Sequence, residues 1–190
     1  YALAGSRRTE ARGGEAALKY LVLGAFSTAF LLLGVAFVYG ATGRFTLDPM
    51  QCDARDPRFY LALCGLGLLL AGLLFKVGAV PFHAWVPDAY EGAPTPVTIL
   101  MAVGVKAAAF AVAARLLFGT FASADFIARW APAVWVAAAV TMVLGNLVAM
   151  HQPSVKRMLA YSAVAHTGYL LLAFLIGGDA SRAARAAHLW

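Results

Sequence analysis

Two lysines that stand inside apolar runs are the residues of this sequence best suited to chemistry. Lys76 and Lys106 lie within the stretch Leu66–Leu117, in which two apolar runs flank a Pro-rich connector. A charge at a bilayer centre costs about 2.5–3.5 kcal/mol on insertion scales. Apolar surroundings favour a neutral amine and a nearby carboxylate favours an ammonium, so a partner that moves can load and unload a proton. The pair therefore predicts a proton relay, with static pairing or snorkelling of the two lysines as the alternative.

Two histidines and one charge pair could extend this relay. His83 follows Pro81 and could bridge water between the lysines, because imidazole changes charge near neutral pH. A neutral His83 whose ring is hydrogen-bonded to backbone groups freed by the helix break is an equally good explanation. His166 lies mid-span among hydroxyl residues, which suits either a proton chain or interhelical hydrogen bonding. Glu15 and Lys19 are four residues apart on one helix face, as in an interfacial salt bridge or a charge link in the relay.

The composition places the chain in a membrane. Its 190 residues are 62% hydrophobic and only 13% charged, and the mean hydropathy is +0.77. Soluble domains carry about 25% charged residues. The formal net charge is +6, but the basic residues are scattered over loops and helix ends, with no basic stripe and no nucleic-acid-binding motif. We therefore expect a lipid bilayer as the environment and no nucleic-acid partner.

Apolar runs of about 20 residues predict an all-α, polytopic membrane helix bundle with about five transmembrane helices. The whole of residues 1–190 should form a single membrane domain. The predicted spans are 16–40, 58–80 with a short continuation over 82–90, 96–118, 131–150 and 156–176. Pro81 removes a backbone hydrogen bond and clashes one turn back, so the second span should break between Val77 and Phe82.

The motifs of most cofactor sites are absent from this sequence. It contains no Gly-rich phosphate loop, GxGxxG, HExxH, CxxC or GxSxG. The four histidines are too dispersed to predict a haem or metal site. We expect no metal, no cofactor and no redox centre within this chain.

Three segments carry a resemblance to a known family. FKVGAVPFHAWVPDAYEGAPTPVT, followed by the apolar span with Lys106, resembles the antiporter-like subunits of respiratory complex I. EAALKYLVLGAFSTAFLLLGVAFVYGATG and GNLVAMHQPSVKRMLAYSAVAHTGYLL are most similar to subunit N of that family, called subunit 2 in mitochondria. The resemblance covers nearly the whole chain. It implies a fragment of a larger antiporter-like fold, whose remaining helices would precede Tyr1 and follow Trp190.

The resemblance implies a proton-translocating membrane subunit of NADH:quinone oxidoreductase. Such a subunit holds no redox cofactor and is driven by quinone reduction elsewhere in the complex. The family's broken-helix lysine falls on Lys76 and its central channel lysine on Lys106, while Glu15 and Lys19 match charged positions with a weaker link to the relay.

The implied environment is a bacterial inner membrane. The partners would be the other membrane subunits of complex I, the lipid bilayer and protons, with quinone contacted only indirectly. Three alternatives stay open at this point: a subunit of a cation/proton antiporter complex, a subunit of a membrane-bound hydrogenase, and a structural membrane subunit that conducts nothing.

Overall fold

The chain folds into a bundle of helices. The computed structural model describes residues 1–6, 11–50, 52 and 54–187. After a short 3₁₀ turn, the described residues form six helices and no strand, so the predicted all-α membrane bundle is confirmed. The helices are α1 (Ala11–Thr42), α2 (Pro57–Val77), α3 (Trp85–Gly92), α4 (Thr95–Thr120), α5 (Ala124–Ala149) and α6 (Val155–Ala187).

Five of these helices are long and apolar enough to cross a membrane. The membrane-length segments are Gly13–Thr42, Pro57–Val77, Thr95–Thr120, Ala124–Ala149 and Val155–Ile176. They contain between 21 and 30 residues, whereas about 20 residues suffice to span the hydrocarbon core. The remaining helix, α3, has only eight residues. It therefore cannot span a bilayer by itself.

The predicted break in the second span is confirmed, and it occupies the seven residues between α2 and α3. Helix α2 begins at an Asp56 cap, whose carboxylate accepts a hydrogen bond of 2.8 Å from the backbone N–H of Arg58. It ends at Val77, and the next residue, the C-cap Gly78, has a φ of +74° and a left-handed backbone. A Cβ at Gly78 would also lie 2.5 Å from Val86 Cγ2, so both conformation and space require glycine there.

Distant side chains satisfy backbone groups that the break exposes. The N–H of Val80 donates to Thr141 Oγ1 of α5 at 3.0 Å. The indole N–H of Trp85 donates to the carbonyl oxygen of Phe75 at 3.0 Å. Both bonds are buried, which is the condition under which non-helical backbone is tolerated at membrane depth.

Helix α4 contains two π-helical segments that the sequence did not predict. Met101–Val105 forms the first and Leu116–Thr120 the second, on either side of the α-helical segment Lys106–Arg115. Single π turns occur frequently at functional sites because they widen the helix and shift the side chains that follow. Lys106 is the residue that directly follows the first π segment.

The structure places the start of α5 earlier than the predicted bound at residue 131. The helix begins at Ala124 and keeps Pro132 in its interior. Three apolar residues of its first turns, Phe126, Ile127 and Trp130, are buried. The indole N–H of Trp130 donates to the Phe121 carbonyl at 3.2 Å. Burial of this apolar face therefore outweighs the local cost of an internal proline.

Glycines allow close approach between neighbouring helices. A Cβ at Gly65 of α2 would lie 3.0 Å from the carbonyl oxygen of Gly34 in α1 and 2.8 Å from Val38 Cγ2. A Cβ at Gly145 of α5 would lie 2.8 Å from the backbone nitrogen of Ala165 in α6. Small residues at such contacts permit the backbone approach on which helix association in membranes depends.

These contacts divide the bundle into two packed groups. Helices α1 and α2 pack along their length, as do α5 and α6, and α3 lies between α1 and α6. One buried cluster joins α1, α2, α4, α5 and α6 around Leu66, Leu117 and Val134. A second joins α1, α2, α3, α4 and α6 around Tyr20, Trp85 and Val164. Helix α3 therefore packs in the second cluster together with α4 and α6.

Gly65→Leu should destabilise the protein strongly. The added side chain must displace Gly34 or Val38, and overpacking of this kind costs about 1–3 kcal/mol. The matched control is Gly67→Leu, because a Cβ at Gly67 meets nothing within 4 Å. Thermal unfolding of the purified full-length protein in detergent measures both. Equal melting temperatures for the two variants would contradict the proposed α1–α2 contact.

Candidate functional site

Lys106 is buried in the middle of α4. Its side chain is 7% exposed. The ammonium nitrogen donates to the carbonyl oxygen of Ala163 at 2.8 Å and to Thr167 Oγ1 at 3.0 Å, both on α6. Among the described residues, no carboxylate lies within ion-pair distance of Lys106. Two neutral oxygens therefore bind the ammonium of Lys106. The sequence predicted a charged side chain at this depth in the membrane.

A pocket of about 780 Å³ lies between α4 and α6 beside this lysine. Its polar groups are Lys106, Ser162, His166 and Thr167, and most of the remaining lining is aliphatic or aromatic. Water can occupy a pocket of this size where several polar partners converge. Lys106 is hydrogen-bonded to Thr167, and the other two polar residues, Ser162 and His166, lie on the same helix as Thr167.

The structure brings His166 to the same pocket as Lys106. Its Nδ1 lies 2.8 Å from the carbonyl oxygen of Ser162, one turn earlier on α6. Its ring packs edge-on against Tyr169, with the ring centroids 5.8 Å apart. Because a carbonyl oxygen can only accept, Nδ1 donates in this contact and the lone pair of the neutral ring lies on Nε2.

Thr167 connects Lys106 to the broken helix. Its hydroxyl is buried, accepts from the lysine, and lies 3.0 Å from the carbonyl oxygen of Val77, the last residue of α2. Val77 follows Lys76 directly in the chain. One side chain thus links the buried lysine of α4 with the helix end that carries the other lysine.

Lys76 occupies a different environment from Lys106. It lies in the last turn of α2, where a cation interacts favourably with the helix dipole. Its nitrogen is 3.2 Å from the hydroxyl of Tyr1 and 5.6 Å from the centroid of that ring. The described residues offer it no carboxylate within ion-pair distance. The side chain is partly buried.

His83 lies within the break and away from the pocket of Lys106. Its ring faces Tyr161 of α6 at a centroid distance of 6.4 Å. Its Nδ1 is buried and has no hydrogen-bond partner among the described residues. A buried polar nitrogen without a protein partner is a favourable position for a bound water, as the bridging hypothesis requires.

Glu15 and Lys19 form an ion pair, and α3 extends it. The ammonium of Lys19 is 2.7 Å from Glu15 Oε1 and 3.0 Å from Asp88 Oδ2. The guanidinium of Arg157, at the start of α6, is 2.9 Å from Asp88 Oδ1 and 3.2 Å from Glu91 Oε2. We call these five residues the α3 ion network. It ties α3 to α1 on one side and to α6 on the other.

Sequence reasoning did not find the long-range partners within this site. The sequence shows that Thr167 follows His166 and that Asp88 lies in the connector, but it does not show that either residue contacts a distant cation. The sequence does hold one signal. Asp88 and Glu91 are three residues apart and so share a helix face, and their charges are opposite to those of Lys156 and Arg157 at the start of the last span. No local pattern indicated which of the cations would meet them.

The α3 ion network should make stability depend on pH through Asp88. Burial alone raises the pKa of this carboxyl, but hydrogen bonds and charges from Lys19 and Arg157 outweigh it and bring the pKa below the ordinary value of 3.8. The ionised Asp88 carboxylate therefore contributes its full stabilisation above about pH 3.8, the pKa of the unfolded chain. This stabilisation is lost as the pH falls through the lower pKa of the folded protein.

Asp88→Asn should lower stability by about 1 kcal/mol at neutral pH, since the ion pairs are partly exposed. The difference from the unchanged protein should shrink on acidification to pH 3. Melting temperatures of the full-length protein in detergent between pH 7 and pH 3 measure it. Asp125→Asn, at the exposed start of α5, is the control. A difference that stays constant across this range would contradict the role given to the carboxylate.

Comparison with known proteins places this geometry in a family. The family model described as NADH:quinone oxidoreductase/Mrp antiporter, TM, matches residues 1–190. NADH-quinone oxidoreductase subunit N 1 of Sorangium cellulosum is 52% identical over 199 residues, covering 100% of this chain and 39% of that protein. Subunit N of Gemmatimonas aurantiaca is 49% identical, covering 97% of this chain and 35% of its own. The chain thus spans well under half the length of these curated relatives.

Solved structures give the same result. A chain of respiratory complex I from Thermus thermophilus with bound aureothin is 45% identical, with a TM-score of 0.78 over 93% of this chain and 37% of its own. A chain of the archaeal membrane-bound sulfane sulfur reductase is 34% identical, with a TM-score of 0.82 over 92% of this chain and 35% of its own. The predicted resemblance is confirmed: this multi-pass membrane chain belongs to the NADH:quinone oxidoreductase/Mrp antiporter family.

Proposed function

We propose that this chain is the part of subunit N of a bacterial NADH:quinone oxidoreductase that carries protons across the membrane. The observation that carries the proposal is the setting of Lys106. It lies eleven residues from Thr95, or roughly 16 Å of helix at 1.5 Å per residue, which is too deep for the side chain to reach the headgroups. Its partners among the described residues are neutral oxygens, and a buried ammonium in such a setting is suited to releasing and regaining its proton.

The neighbouring residues suit the steps of such a relay. Lys76 and Lys106 exchange protons through bound water across the break, where His83 supplies a nitrogen for that water. His166 exchanges protons between Lys106 and water in the pocket of α4 and α6. Glu15 and Lys19 lie in the α3 ion network, so their role in the relay is to set the local charge.

The rest of the complex supplies the energy in this proposal. Quinone reduction on other subunits drives the protons, and this chain carries no redox cofactor of its own. Its neighbours are other membrane subunits of complex I in the inner membrane of a bacterium. The 52% and 49% identities to two proteins named subunit N support this assignment.

An Mrp-type antiporter subunit is the second candidate. A chain of the Mrp complex from Dietzia is 27% identical over 86% of this chain, with a TM-score of 0.75. The 45% identity to the complex I chain from Thermus thermophilus favours the first candidate. A subunit with a purely structural role has no use for a lysine whose burial costs about 2.5–3.5 kcal/mol.

Lys106→Met should abolish most proton pumping while the complex still assembles. Methionine nearly matches the lysine stem in shape and removes the titratable amine. Lys106→Arg should also impair pumping, because a guanidinium keeps its proton at any working pH. The measurement is proton pumping per electron by the complete complex in reconstituted vesicles, together with the content of assembled complex on a native gel.

Lys156→Met is the matched control, because Lys156 is exposed at the start of α6. It should pump normally. If Lys106 were only a structural cation, arginine would restore function and methionine would prevent assembly. Normal pumping by both Lys106 variants would refute the relay.

A further inference from the structure

The hydroxyl of Thr167 has three potential partners and can donate to only one at a time. Its oxygen lies 3.0 Å from Lys106 Nζ, 3.0 Å from the carbonyl oxygen of Val77 and 3.1 Å from the carbonyl oxygen of Ala163. The side chain is 1% exposed. A hydroxyl has one proton to donate and two lone pairs with which to accept. The position of that single proton therefore depends on what the lysine requires.

The protonated lysine fixes the hydroxyl in one orientation. An ammonium has three donors and no acceptor, so Thr167 must accept from it and donate elsewhere. The carbonyl oxygen of Ala163 already receives a lysine N–H at 2.8 Å. The proton of Thr167 is then best placed on the Val77 carbonyl, where it satisfies an oxygen at the end of α2.

The neutral lysine permits the opposite orientation. Its nitrogen then has a lone pair and can accept the proton of Thr167 while still donating to Ala163. The hydroxyl proton leaves the Val77 carbonyl in this arrangement. That carbonyl belongs to the last turn of α2, whose oxygens lack partners further along the helix. Loss of this bond weakens the contact between α2 and α6 beside Lys76.

We propose that Thr167 is a positioning residue that couples the protonation of Lys106 to the end of α2 by reorientation of its hydroxyl. This inference rests on the proposed function of Lys106 and adds the route by which its charge acts on the broken helix. The other titratable groups around this link are His166, which lines the pocket from α6, and Lys76, which adjoins Val77 on α2. Ion pairs to Lys106 are absent from the described part of the chain.

Thr167→Val and Thr167→Ser separate the hydroxyl from the methyl group. Valine keeps the branched shape and removes the hydroxyl, whereas serine keeps the hydroxyl and removes the methyl group. In the complete complex, Thr167→Val should lower proton pumping per electron severalfold and displace the pH at which pumping is half-maximal. In Thr167→Ser, the pumping per electron and the pH of half-maximal pumping should both be close to those of the unchanged protein. Quinone reduction and the content of assembled complex should stay close to normal in all variants.

Thr28→Val is the matched control. Its hydroxyl also donates to the carbonyl four residues earlier, at 2.8 Å, but that bond lies on α1 and involves no lysine. It should leave pumping and its pH profile unchanged. If Thr167→Val does not assemble, Thr167→Ala, which cannot clash, serves in its place.

The outcomes separate this inference from the proposed function. Impaired pumping in Lys106→Met with normal pumping in Thr167→Val would overturn the coupling and leave the relay intact. Normal pumping in Lys106→Met would overturn the relay and the coupling with it. Equal loss in the valine and serine variants, an unmoved pH profile, or failure of both hydroxyl-free variants to assemble would show a packing or capping role and overturn the coupling.

Discussion

The need to provide hydrogen bonds for one buried ammonium constrains how α4 and α6 are arranged. Lys106 lies too deep in α4 to reach the membrane surface, so its hydrogen bonds must come from protein or bound water. The structure supplies two, both from α6, through Ala163 and Thr167. Helix α6 must therefore stay at a fixed distance from α4. Its close packing on α5 through Gly145 and its contact with α3 provide that constraint.

The break between α2 and α3 depends on the same helices. A non-helical stretch at membrane depth leaves backbone groups whose exposure to lipid costs several kcal/mol each. Thr141 of α5 accepts from Val80, and Thr167 of α6 donates to Val77. Both α5 and α6 therefore supply hydrogen bonds to the break. The lysine and the end of α2 share Thr167 as a hydrogen-bond partner.

The sequence was sufficient for features with local causes. Run lengths gave the number of membrane helices, and Pro81 gave the position of the break, because a proline acts within one turn of itself. The start of α5 was missed because burial of Phe126 and Trp130 keeps the helix intact around Pro132. Such tertiary effects override local propensity and leave no periodic signal of their own.

The contacts of the site could not be predicted, because they join residues far apart in the chain. Thr167 lies 61 residues from Lys106 and 90 from Val77. Lys19 and Arg157 each lie 69 residues from Asp88. One sequence identifies the residue types that suit a relay. The sequence alone does not give the register in which separate helices pack. In this bundle that register depends on close contacts at glycines such as Gly65 and Gly145.

The structure places Lys19 and Lys106 in two different environments. Lys19 lies between the carboxylates of Glu15 and Asp88 and forms an ion pair with each. Within the described residues, Lys106 is bonded to a backbone carbonyl and a hydroxyl, both of which can also pair with a neutral amine. A group that must lose a proton during turnover requires the second environment. The α3 ion network therefore suits an anchor for the broken helix, and the environment of Lys106 makes it the better candidate for the proposed relay.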